Sequence, residues 1–254
     1  MEVFWMREQN LTAIFSSERL KLKKTKRYSL LFSVTLAAPV LAYLIGGVLI
    51  FIPFTLYWWE ALFLFLLGGL LFLSDVKREK SAGDFQNIES TEVKKQIYFA
   101  KVALNFRTLF GASFILFGAI YLVALLYGGL LQAESLRLIV VILALLVTGL
   151  WNIFFIYYLS NWLNASLVVV INSLLCLFIA PLVAQTKLWL LFPYTYHYKV
   201  VEALIGLKPN GVQSPDFLNI DWGMFGSSVG SALLSAVLFS WLLGRRSDVQ
   251  NSKK

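Results

Sequence analysis

Long uninterrupted runs of apolar residues constrain this chain more than any other feature. They are about 18–25 residues long, the length a helix needs to cross a hydrocarbon core of roughly 30 Å. Lipid offers backbone N–H and C=O groups no partner, so such runs must satisfy their hydrogen bonds internally, as helices do. A soluble protein with an equally large core would show amphipathic stripes broken by charges. Of the 254 residues, 59% are hydrophobic and 14% charged, against about 45–50% and roughly 25% in a soluble domain. The expected fold is an all-α membrane protein with six transmembrane helices.

Taken in order, residues 1–27 form a charged arm. Within it Leu11, Ile14, Phe15 and Leu22 share a helical face, followed by the basic run that holds Arg19, Lys21 and Lys24. A helix of this kind lies at the membrane surface, apolar side in lipid and basic side toward anionic headgroups. Residues 28–74 hold span one (28–52) and span two (55–73), joined by a very short connection. The first run starts near Tyr28 and is too long for a signal peptide, so it reads as an uncleaved span. Pro39 should kink it, and Pro53 with Tyr57, Trp58 and Trp59 should mark the far interface, where Glu60 can sit at headgroup level, a buried functional carboxylate being the alternative.

Residues 75–101 form the longest strongly polar interruption of the chain. Residues 102–183 carry spans three (102–127), four (138–159) and five (165–183). Residues 184–221 are expected to hold one or two short re-entrant or interfacial helices, with Tyr194, Tyr198, Val201 and Ile205 on one face, followed by a loop. Span six covers 222–243 and a basic tail 244–254, and the tail should be disordered at its end. In span six Gly223, Ser227, Gly230 and Ser231 belong to a small-residue ladder that favours close helix packing. Lys and Arg concentrate in 1–27, 75–101 and 244–254, which places both termini in the cytosol and requires an even number of spans. The net charge of +8 follows from that retention, and no nucleic-acid motif competes with it.

Most intramembrane chemistry is argued against by what the sequence lacks. The one histidine, His197, reads as an interfacial residue, with no His cluster to hold zinc. No span carries paired carboxylates, so neither an acid–base pair nor a carboxylate metal site is expected. Cys176 has no second cysteine to pair with. No phosphate-binding loop occurs, so any nucleotide must be hydrolysed by another chain. An ion-coupled carrier would show charges within its spans, and these spans carry almost none. Neutral polar and aromatic residues, Thr148, Trp151, Asn152 and Tyr157 in span four and Asn172 in span five, either line a path for an amphipathic substrate or bond helix to helix.

The polar stretch then gains a meaning. Glu79, Gly83, Phe85, Asn87 and Ile88, followed by Val93, Lys94, Lys95, Ile97 and Lys101, resemble the first cytosolic loop of type-2 ABC exporter permeases. The arm Ser17 to Tyr28 is similar to that family's elbow helix, and the span pattern matches along essentially the whole chain. Asp84 and Glu92 depart from residues common in the family. Small size and the lack of a fused ATPase look most like lantibiotic self-immunity permeases. The resemblance implies a coupling helix between spans two and three, with Glu79, Gly83, Phe85, Ile88 and Lys94 contacting the ATPase, and an elbow at Arg19, Lys21 and Lys24. It implies two cytosolic ATPase subunits carrying ATP and magnesium, a second permease subunit, identical or related, and export of a peptide antibiotic across a Gram-positive plasma membrane. This chain itself would be no enzyme and bind no cofactor or metal. A permease exporting another antibiotic or lipid, an ion-coupled carrier and a non-transporting scaffold are the competing readings.

Overall fold

The computed structural model describes residues 2–22, 26–82, 94–127, 135–214 and 219–251. Among these the fold is helical, and the one β feature is an isolated bridge between Leu207 and Gln213. Helix α1 (Glu2–Leu22) precedes α2 (Arg27–Gly46). A turn at Gly47 to Ile50 then leads into α3 (Phe51–Ser81). Helices α4 (Lys94–Tyr127) and α5 (Ser135–Leu159) follow, then α6 (Ala165–Ala184). Two short 3-10 turns, Lys187–Leu191 and Pro193–Thr195, lead into α7 (Tyr196–Ile205) and then α8 (Trp222–Asn251). Six helices, α2 to α6 and α8, are long and apolar enough to cross a membrane.

The spans are not equivalent. In the most apolar stretch of α3 and of α5, 67% of residues are buried within the protein, against 22% in α8. Helices α3 and α5 therefore form the centre, and α2, α4 and α8 present apolar side chains such as Leu44, Phe114 and Leu234 outward. In lipid such an outward face costs nothing, because hydrocarbon is as apolar as leucine. Close approach at the centre depends on glycine. A Cβ built on Gly69 of α3 would stand 3.1 Å from a methyl of Val169 on α6. Gly69→Leu is expected to force the two helices apart at a cost of about 1–3 kcal/mol, read as a lower melting temperature in detergent. Gly118→Ala, which meets nothing within 4 Å, should leave the melting temperature unchanged or slightly raised.

Several boundaries differ from those the hydropathy suggests. Helix α3 continues to Ser81 and α4 begins at Lys94, so both flanks of the polar stretch 75–101 are helix rather than loop. Lys, Arg and Glu are good helix formers, and the buried ion pairs described below hold these charged turns in place. Helix α8 likewise runs through the basic tail to Asn251 instead of ending near 243. Pro53 falls in the first turn of α3, where its missing N–H costs no hydrogen bond. Pro39 lies inside α2, which stays helical around it.

Candidate functional site

One end of the bundle gathers the basic residues, and the flanks of the polar stretch meet there. Lys101 of α4 is 3% exposed, and its Nζ donates to Glu18 Oε2 of α1 at 2.7 Å and to Glu79 Oε1 of α3 at 2.5 Å. Lys21 Nζ reaches Glu18 Oε1 at 2.5 Å. Arg78 spans the group, 3.2 Å from Asp75, 3.3 Å from Glu79 and 3.5 Å from Glu18. A second layer lies beside it. Arg27 of α2 donates to Thr108 Oγ1 at 2.9 Å, to the Leu104 carbonyl at 3.1 Å and to Asn105 Oδ1, with Asp75 at 3.8 Å. Tyr157 of α5 donates to Asp75 Oδ2 at 2.7 Å, and Asn105 Nδ2 donates to both Asp75 and Tyr157.

Three carboxylates thus face four cations drawn from α1, α2, α3 and α4, with α5 supplying a phenol. Apart from the exposed Lys21, burial removes the water that would screen these charges, so the buried partners need one another. The cluster ties α1 to the two helical ends that border residues 83–93. A cavity of about 140 Å³ adjoins it, lined by Phe72, Asp75, Glu79, Tyr98 and Lys101 among others.

Glu79 and Lys101 come together, and Glu79 points inward, 5% exposed. Lys94 is buried at the start of α4, Lys21 enters the cluster, and Arg19 is exposed. Gly83, Phe85, Ile88 and Lys24 lie outside the described residues. Glu18, Arg27, Asp75, Arg78 and Asn105 are the cluster members sequence reasoning passed over. Their signals were present: Glu18 interrupts the apolar stripe of α1, Asp75, Arg78 and Glu79 are spaced i, i+3, i+4, and Lys101 and Asn105 are spaced i, i+4.

The five residues offered for a substrate path divide between two places. Tyr157 belongs to the ion cluster. Deeper in the bundle, Asn152 Nδ2 donates to Asn172 Oδ1 at 2.6 Å, Tyr194 OH donates to the same oxygen at 2.7 Å, and Asn172 Nδ2 donates to the Phe65 carbonyl at 3.3 Å. Trp151 packs edge-on against Tyr194, 4.8 Å between ring centroids, and Thr148 donates to the Ala144 carbonyl. The void beside Asn152 is about 10 Å³, room for at most one water. In this arrangement Asn152, Asn172 and Tyr194 are bonded to one another, while Thr148 bonds carbonyls of its own helix and buried Trp151 Nε1 has no hydrogen-bond partner among the described residues. On α8, Gly223 and Ser227 are exposed and Gly230 and Ser231 half-buried, while the stripe that packs inward is Ser228, Ala232 and Ala236.

The opposite end corrects two expectations. His197 is fully buried rather than interfacial, because α7 inserts against α5 and α8. Its ring lies 4.5 Å from that of Phe65 and 4.4 Å from that of Tyr198. Burial brings its pKa down to about 3, so it is neutral there at physiological pH. Glu60 is also fully buried within the protein rather than exposed near the helix end. Since α3 begins at Phe51, Glu60 stands nine residues into it, about 13 Å along the axis. Among the described residues no three His, Cys, Asp or Glu side chains are grouped to hold a metal. Comparison with protein-family models, with curated proteins and with solved structures finds no match in any of the three.

Proposed function

We propose that this chain is the permease subunit of an ATP-driven exporter of hydrophobic or amphipathic molecules, with a peptide antibiotic of the lantibiotic type as the favoured substrate. The observation that carries the reading is the buried ion cluster. It joins α1, α3 and α4 around the polar segment whose residues resemble the cytosolic loop of type-2 ABC permeases. A partner that pushes on residues 83–93 would act on the ends of α3 and α4, which Glu79 and Lys101 lock together, so the push would reach two spans as one movement. On this reading the basic end faces the cytosol, two ATPase subunits bind ATP and magnesium, and a second permease subunit completes the path in a bacterial plasma membrane.

The test is gentle solubilisation of the chain expressed with its neighbouring genes. An ATPase is expected to co-purify, and Phe85→Asp is expected to lower its yield at least tenfold while the permease stays in the membrane. Cells carrying the set should resist at least one cationic peptide antibiotic. Recovery without any ATPase would overturn the exporter reading, and unchanged potency across a broad panel would overturn the peptide substrate.

One observation favours an ion-coupled carrier instead, the fully buried carboxyl group of Glu60 in α3. That class requires transport which persists without ATPase and collapses with an ionophore.

A further inference from the structure

Glu60 lies where two irregular turns meet. Helix α3 widens into a π turn over Trp59–Phe63, and α6 does the same over Leu175–Ile179. Such turns break the regular hydrogen-bond ladder and recur at functional positions. The backbone carbonyl of Glu60 lies 3.6 Å from Cys176 Sγ, and the same sulfur lies 3.5 Å from Nε2 of His197 on α7. One chain of contacts therefore runs from α3 through α6 to α7. Among the described residues neither carboxyl oxygen of Glu60 has a hydrogen-bond partner, and neither has Nδ1 of His197.

The titratable groups within electrostatic reach of Glu60 are Tyr57 on its own helix, Cys176 on α6, and Tyr198 and Glu202 on α7. Glu202 is itself paired with Lys199 at 2.7 Å. Helix α2 also packs on this turn, and the titratable side chain of its nearer half, Tyr43, bonds Tyr127 instead. No described cation answers Glu60. An isolated carboxylate in such surroundings is strongly disfavoured, as a buried ion stripped of its partner is, whereas the neutral acid is far less so.

We propose that Glu60 is a proton-binding site whose occupancy is linked to the seating of α7 over the Glu60–Cys176–His197 contact. While α7 is seated the acid holds its proton. When α7 lifts and water enters, the acid O–H bond breaks and the proton passes to that water, leaving a solvated carboxylate. The inference does not rest on the exporter reading.

The two titrating groups act in opposite directions and separate by pH. His197, held neutral when buried, favours the seated state above its ordinary pKa of about 6.5 and withdraws that support as pH falls. Glu60 favours the seated state at low pH and withdraws support as pH rises past the ordinary carboxylate value of about 4.3. Above about pH 7 the His197 contribution is complete, so growth of the unseated population with pH that is lost in Glu60→Gln belongs to Glu60.

Cys176, the sole cysteine of the chain and fully buried, supplies the readout. Its labelling by a small neutral maleimide is measured in wild type and in Glu60→Gln at each pH, so that the thiol's own ionisation cancels in the ratio. The wild-type to Glu60→Gln ratio is expected to rise at least tenfold between pH 7 and 9. A ratio that holds within twofold overturns the proposal. Infrared spectroscopy of the wild-type protein at pH 8 gives a reading free of that variant's folding. A protonated-carboxyl band is expected, and its absence overturns the proposal.

Discussion

Lys101→Met is expected to cost about 3–5 kcal/mol of stability, the penalty for leaving buried charge unpaired. Methionine nearly matches the volume, so the loss isolates the charge. Glu18 and Glu79 would then face each other with Lys21 and Arg78 as their remaining cations. Lys21 has a side chain 41% exposed and stands 3.8 Å from Glu79, so its contribution is largely screened. Lys21→Met should therefore change stability by about 0.5 kcal/mol or less. Adding Glu79→Gln to Lys101→Met removes the stranded carboxylate and should recover part of the loss, a coupling a double-mutant cycle measures directly. Melting temperatures from intrinsic tryptophan fluorescence in detergent report these three variants and the Glu79→Gln single that completes the cycle. A Lys101→Met protein that melts within a degree of wild type would remove the clamp.

The six spans were legible because lipid leaves the chain few choices: a run of the right length must be a helix. Which spans occupy the centre was not legible. Helix α3 has mean hydropathy 1.8 and α8 has 1.6, yet they differ threefold in burial. Hydropathy measures tolerance of an apolar medium, and lipid and protein interior are equally apolar. The polar stretch was legible as a place of importance, but not the helical continuation of α3 and α4 into its two flanks. Its charges look solvated in sequence, but Glu79 and Lys101, 22 positions apart, neutralise each other once α3 and α4 pack. A single sequence shows each partner and not the pairing.

The opposite end shows the same limit. Lys199 and Glu202 mark α7 as interfacial when each is weighed alone against lipid. Packed in the bundle they pair with each other, and Tyr198 OH donates to the Cys176 carbonyl at 3.0 Å. Span six carries two small-residue stripes one position apart, and helical spacing is equally good for both. The stripe Ser228, Ala232 and Ala236 is the one buried against the rest of the protein. Packing partners choose between them, and the partners lie on other helices.

Asn172→Leu is expected to cost about 2–4 kcal/mol, and it separates the two roles that remain open for the polar residues of spans four and five. Asn172 accepts from Asn152 and Tyr194 and donates to the Phe65 carbonyl, so it links α3, α5 and α6 with the segment leading into α7. Leucine fills the space but leaves two buried donors without an acceptor, each costing about 1–3 kcal/mol, offset in part because interhelical bonds in membranes average about 0.6 kcal/mol. Thr148→Val is the control. Its hydroxyl bonds carbonyls of its own helix, so its loss should cost under about 1 kcal/mol. If Asn172 holds helices together, Asn172→Leu lowers the melting temperature and the membrane yield, and the protein that survives handles the same compounds as wild type. If Asn172 lines a path, the melting temperature holds while the range of compounds changes. The three bonds to one side chain, beside a void with room for no more than a water, favour the first outcome.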